Sequence, residues 1–120
     1  MTDWKKEAKY FLPSKKHLID KSDSPMEFWS ELKSEFDSAV SVNDLDFVDK
    51  VLKLARSSYA SGECSSAVCY CFYQQLAENE SNWKHFPKWF VPSEFRELLQ
   101  VFSYGLDKKT AAKLEKSFYK

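Results

Sequence analysis

Two histidines, three clustered cysteines and a ladder of carboxylates are the side chains of this 120-residue sequence that could do chemistry. His17 and His85 are the only histidines. Neither stands at a recognisable spacing from a serine, cysteine or carboxylate, and nucleophilic catalysis needs such a neighbour to carry the proton. His85 sits in an aromatic turn, where packing and one local hydrogen bond are the ordinary role. Paired with a nearby carboxylate, it is the one candidate acid–base group of a small enzyme. Cys64, Cys69 and Cys71 fall within eight positions. An odd count is poor material for a disulfide framework. On a helix, residues two apart point in different directions. A zinc site asks for a C-x-x-C pair or neighbouring histidines. The three are expected to be small buried or half-buried hydrophobes. Glu27, Glu31 and Glu35 repeat at a spacing of four and share one helix face. Calcium or magnesium draws on more oxygen ligands than such a pair supplies. Two glycines cannot build a phosphate-cradling loop. The sequence therefore assigns no catalytic residue, no cofactor site and no metal ligand.

The elements that position these groups read as helices. From Asp44 to Leu76 the chain forms two amphipathic segments hinged at Gly62. Leu45, Val48, Leu52, Ala55 and Tyr59 step by three and four, and Phe47, Val51 and Leu54 widen the stripe. Asn43 or Asp44 can accept a hydrogen bond from a first-turn amide, and Asp46 suits the positive end of the helix. Gly62 tolerates the left-handed backbone that follows a helix end. Ala67, Val68, Cys71, Phe72 and Leu76 line one side of the second segment, and a short hinge makes the pair a helical hairpin. Tyr70 and Tyr73 are expected on the partly exposed side.

Upstream, Ser24-Pro25 with Glu27 is a strong helix start. The stripe Phe28 or Trp29, Leu32, Phe36, Ala39 and Val40 follows, ending near Val40. Residues 2–10 allow a short helix, and the polar stretch after it, broken by Pro13 and Pro25, is expected to be irregular. Downstream, Ser81 or Asn82 can cap an aromatic turn holding Trp83, Phe86, Trp89 and Phe90, cut by Pro87 and Pro92. These rings fit a core or an interface. Phe95, Leu98, Leu99 and Phe102 mark the next helix, stopped by Gly105. Asp107 caps the last, with Ala111, Leu114 and Phe118 on its apolar side. The expectation is an all-α, compact orthogonal or antiparallel bundle of about five main helices, with solenoid-like stacking of hairpins as a variant. Residues 1–24 form a partly irregular N-terminal arm, and 25–120 a single helical domain.

Composition agrees. The chain is 43% apolar and 17% aromatic, enough to bury a real core and too much for disorder. Only two glycines and four prolines leave little material for β-hairpin turns. No apolar run approaches the roughly 20 residues that span a bilayer. The start M-T-D-W-K-K-E-A lacks an apolar signal core, so a cytoplasmic location is expected. The formal net charge is zero but unevenly spread. Residues 20–49 hold nine acids against Lys21 and Lys33, a net of −7, while 1–19 and 105–120 are each +3. An acidic belt with basic ends argues against a nucleic-acid binder, which needs a concentrated basic surface.

The segment S-S-A-V-C-Y-C-F-Y-Q-Q-L at Ser65–Leu76 and F-P-K-W-F-V-P-S-E-F-R-E-L-L-Q-V-F-S-Y-G-L at Phe86–Leu106 carry a resemblance. Their pattern, an A-V-x-x-x-F-Y-x-x-L helix followed by P-x-W-x-x-P-x-x-F-x-x-L, resembles a family of small uncharacterised all-helical bacterial proteins over roughly residues 44–118. The resemblance implies an all-helical fold and a bacterial source, and brings no catalytic residues. By analogy, small bacterial proteins of this kind resemble immunity proteins that neutralise a secreted toxin.

The functional expectation is a non-enzymatic protein-binding domain, with an immunity-type role its sharpest form. Its partner is a basic protein met by Glu27, Glu31, Glu35, Asp37, Asp44 and Asp46, since an acidic surface complements a basic one. The alternatives are a small enzyme using His85 and a nearby carboxylate, and a nucleic-acid accessory protein using the basic ends.

Overall fold

Local signals start and stop the helices where the side chains demand it. In the computed structural model, which describes residues 4–62 and 64–119, Ser24 caps α3 (Pro25–Ser41) by accepting from the Glu27 amide at 3.2 Å. The Glu27 carboxylate reaches back to the Asp23 amide at 2.6 Å, so one first-turn donor and one amide just ahead of the cap are satisfied together. Asp44 caps α4 (Leu45–Ser61) through the Phe47 amide at 3.3 Å, and α4 ends on Gly62 at φ +83°. An α3–α4 link this short is possible because Asn43 takes the left-handed conformation at φ +63°. No strand occurs among the described residues, so the all-α expectation holds.

The helices outnumber the five expected. Backbone contacts gather into two units, residues 1–72 and 73–120. In the first, α1 (Trp4–Phe11) precedes a 3-10 turn (Pro13–Lys15) and α2 (Lys16–Lys21). Thr2 and Asp3, part of the expected first helix, lie outside the described residues. The stretch expected to be irregular is thus helical over Pro13–Lys15 and Lys16–Lys21, because burial of Leu12, Leu18 and Ile19 rewards a turn that polar composition alone does not. α1 packs on α4, and α3 and α5 (Ser65–Val68) pack on α4 and on each other. Trp29 lies between Phe28 and Phe72, with ring centroids at 5.8 and 5.3 Å, and Phe36 meets Phe72 edge-on at 5.0 Å. Trp4 extends the row from the N-terminal helix, 5.6 Å from Phe28. A polar clamp joins α1 to α4: the Glu7 carboxylate accepts from the hydroxyls of Ser57 and of buried Ser58, the latter at 3.3 Å.

After α5 the backbone widens into a π-helix (Cys69–Tyr73) before α6 (Gln74–Glu78). This changes the phase of the stripe. Tyr73, expected at the surface, is 1% exposed, while Tyr70 stays half in water.

In the second unit a 3-10 segment (Glu80–His85) leads to α7 (Phe86–Trp89), α8 (Pro92–Ser103) and α9 (Lys108–Phe118). Asn79, rather than Ser81 or Asn82, caps the 3-10 segment by accepting from the Ser81 amide at 3.2 Å. Asn82 instead turns inward and donates to the Leu76 carbonyl at 3.3 Å, while the Trp83 indole donates to Ala77 at 2.8 Å. Those two bonds occupy carbonyls that the end of α6 leaves open. The aromatic turn is core: Trp83, Phe86 and Phe90 are buried and only Trp89 is half-exposed. Phe86 is its centre, with Phe102, Phe90 and Phe95 at 5.1, 5.3 and 6.4 Å. Phe95 stacks on Phe118 at 3.9 Å, tying α9 to the cluster. Gly105 follows α8 where the Glu78 carboxylate comes so close that a Cβ would collide with it. Asp107 caps α9 through the Thr110 amide at 2.7 Å. That bond, first among its causes, holds the Asp107 carboxyl below the ordinary value.

Candidate protein-binding face

The face begins with the two helices that present it. α3 commits Phe28, Trp29, Leu32 and Phe36 to the core and leaves Glu27, Ser30, Glu31 and Ser34 exposed on its other side. Glu31 is exposed and Glu35 half-buried. The α3–α4 link then brings Asp44 round to the same side.

Between the Pro13–Lys15 turn, α3 and the start of α4 lies an open groove of about 600 Å³. Glu31, Glu35 and Asp44 line it, with Ala39, Val42 and Phe47 supplying apolar wall. Lys15 enters from the turn. Its ammonium pairs with Glu35 and sits 5.3 Å from the centre of the Phe47 ring. A carboxylate on one side and an aromatic face on the other is a favourable seat for a cation. Val42 is 74% exposed at the rim and Leu45, just beyond, 66%. Leu45 was expected on the buried stripe. It stands at the first position of α4, one turn before the first buried residue of that helix, Val48.

Of the six acidic residues read from the sequence, the fold brings Glu31, Glu35 and Asp44 to one groove and leaves three outside it. Glu27 is turned to the α3 N-terminus. Asp37 pairs with Lys33 at 2.7 Å and Asp46 with Lys50 at 3.2 Å, each one helical turn away. Asp49 likewise meets Lys53 at 3.1 Å. The belt is therefore laced with lysines along α3 and α4, and its excess negative charge gathers where α3 meets the start of α4. Lys15, Val42 and Phe47 are among the groove residues that the sequence does not mark as such. No local signal marks Lys15, which reaches the groove only through tertiary packing.

The other reactive groups sit elsewhere. His85 stacks on Trp89, with centroids at 5.1 Å and planes at 21°. Burial first, then the charges of Lys84 and Lys88, hold its imidazole below the usual histidine value. Cys64 is buried, while Cys69 and Cys71 are half-buried, and all three are thiols. Burial raises the Cys69 thiol, against a smaller opposing effect of Ser65, so its nucleophilic thiolate is scarce at neutral pH. Among the described residues no three of His, Cys, Asp and Glu come together as a metal cage. No described helix is long and apolar enough to cross a membrane. Comparison of the chain with protein-family models, with curated proteins and with solved structures found no match.

Proposed function

We propose that this chain is a non-enzymatic protein-binding domain whose partner is a basic protein, with neutralisation of a toxin as its sharpest form. The observation that supports it is the groove lined by Glu31, Glu35 and Asp44 beside the exposed aliphatics Val42 and Leu45. Carboxylates steer a basic partner in, and apolar side chains at the rim give it surface to bury. The bacterial source and the cytoplasmic location belong to this same reading, the first through the resemblance of residues 44–118. The competing readings, an enzyme built on His85 or a nucleic-acid accessory protein, place the working surface on other residues.

The test begins with a partner purified by affinity capture and identified by mass spectrometry. Glu31→Lys combined with Asp46→Lys should then leave the helical circular dichroism spectrum and melting temperature nearly unchanged, since both side chains are exposed. Association with the partner should slow by about tenfold or more at low ionic strength, and the gap should narrow as salt screens it. Equal association rates for variant and parent at low and at high salt would rule out the acidic face as the interface.

A further inference from the structure

We infer that the groove is a subsite for one lysine or arginine side chain followed by an aliphatic residue on the protein partner, and that Lys15 is its built-in competitor. The inference rests on the acidic-face reading above and names the chemistry that the face selects. The chain already shows what the groove accepts. The Lys15 ammonium lies between the Glu35 carboxylate and the Phe47 ring, a seat built from two helices for a cation delivered by a third segment. With Lys15 seated, about 600 Å³ of the groove is still open. Glu31 and Asp44 add two further carboxylates to the lining against the single cation Lys15. Asp44 spends one oxygen on the Phe47 amide, and a carboxylate has more acceptor sites than one amide uses. A second cation therefore meets net negative charge even with Lys15 in place, and more of it once Lys15 swings out.

Release of Lys15 is easy. Its pair with Glu35 is about one-third exposed on each side, so water and an incoming guanidinium can both reach it. Arginine gains most, because its planar fork can meet two carboxylates and stack on a ring at once. The neighbouring position is set by Val42, which stands exposed at the same rim and offers apolar contact to an aliphatic residue beside the cation. An acidic or purely apolar segment has no such match.

The test uses the full chain, labelled with ¹⁵N, and two short peptides. One carries arginine followed by leucine. The other replaces arginine with citrulline, which keeps the shape and removes the charge. The arginine peptide should give saturable amide shifts at Ser34, Ser38, Val42 and Phe47, and the citrulline peptide should bind several-fold more weakly. Lys15→Met should tighten the arginine peptide by several-fold. Lys16→Met makes the same charge change on a neighbouring exposed residue and should leave the affinity unchanged. The spectra themselves report whether each variant is folded. Absence of saturable shifts at the groove, equal binding of the two peptides, or equal gains from Lys15→Met and Lys16→Met would each overturn the subsite. If the Glu31/Asp46 reversal slows the partner while the peptides fail, the subsite falls and the acidic-face reading stands. If the peptides bind as expected while the reversal leaves the partner untouched, the groove takes a cation that the partner does not supply, and the subsite falls together with the acidic-face reading.

Discussion

Phe86→Ala should destabilise the protein by about 3–5 kcal/mol, the range for deleting a buried phenylalanine ring. Phe86 is fully buried and its ring is surrounded by Phe90, Phe95, Phe102 and Trp89. Large rigid rings on several sides collapse poorly into the space left behind, so both the transfer loss and the cavity loss apply. Against a total stability of roughly 5–15 kcal/mol, that is a large share. Urea denaturation followed by circular dichroism measures it. Val91→Ala, at a position well exposed after α7, is the control and should stay within about 0.5 kcal/mol. A Phe86→Ala loss below about 1 kcal/mol would mean the ring cluster is not the core that its geometry indicates.

Removing residues 1–21 should abolish the folding of residues 22–72. The deleted stretch includes Trp4, Ala8, Leu12, Leu18 and Ile19, all buried. Leu12, Leu18 and Ile19 alone contribute about 1.5–3 kcal/mol each on burial, which together rivals the stability of a small domain. The cut also removes the α1 packing from α4 and leaves buried Ser58 without the Glu7 carboxylate. The truncated chain should show reduced helicity and no sharp thermal transition for that unit. A truncated protein that melts cooperatively at the parent temperature would show the N-terminal helices to be dispensable.

The caps were readable in the sequence because they are local: Ser24 with Glu27, Asp44, Gly62 and Asp107 each act within three or four residues of themselves. The stripe of α3 was readable because seventeen residues give the period room to declare itself. α2 offers only the adjacent pair Leu18 and Ile19, too little for a period, and its helix depends on what it is buried against. Tyr73 was misplaced because a 3.6-residue period was carried through a π-helical turn, which nothing in C-Y-C-F-Y announces. At the candidate site the carboxylates were visible and their grouping was not. Which of them converge depends on the α3–α4 link and on Lys15 arriving from a separate segment.

The Glu7 clamp has a kinetic meaning. Most neighbours in the first unit are joined by links of a few residues, so loop closure costs little entropy and helix pairs form early. Glu7 and Ser57 are fifty positions apart, and their bond can form only after α4 exists to receive α1. Docking of the first helix is therefore expected to follow the folding barrier. Weakening the clamp with Glu7→Gln should accordingly leave the refolding rate in stopped-flow fluorescence almost unchanged and appear as faster unfolding. A refolding rate that fell in proportion to the lost stability would place this contact in the folding nucleus instead. On the kinetic account, the N-terminal helix acts as a latch: it contributes little to finding the fold and much to how long the fold, once found, persists.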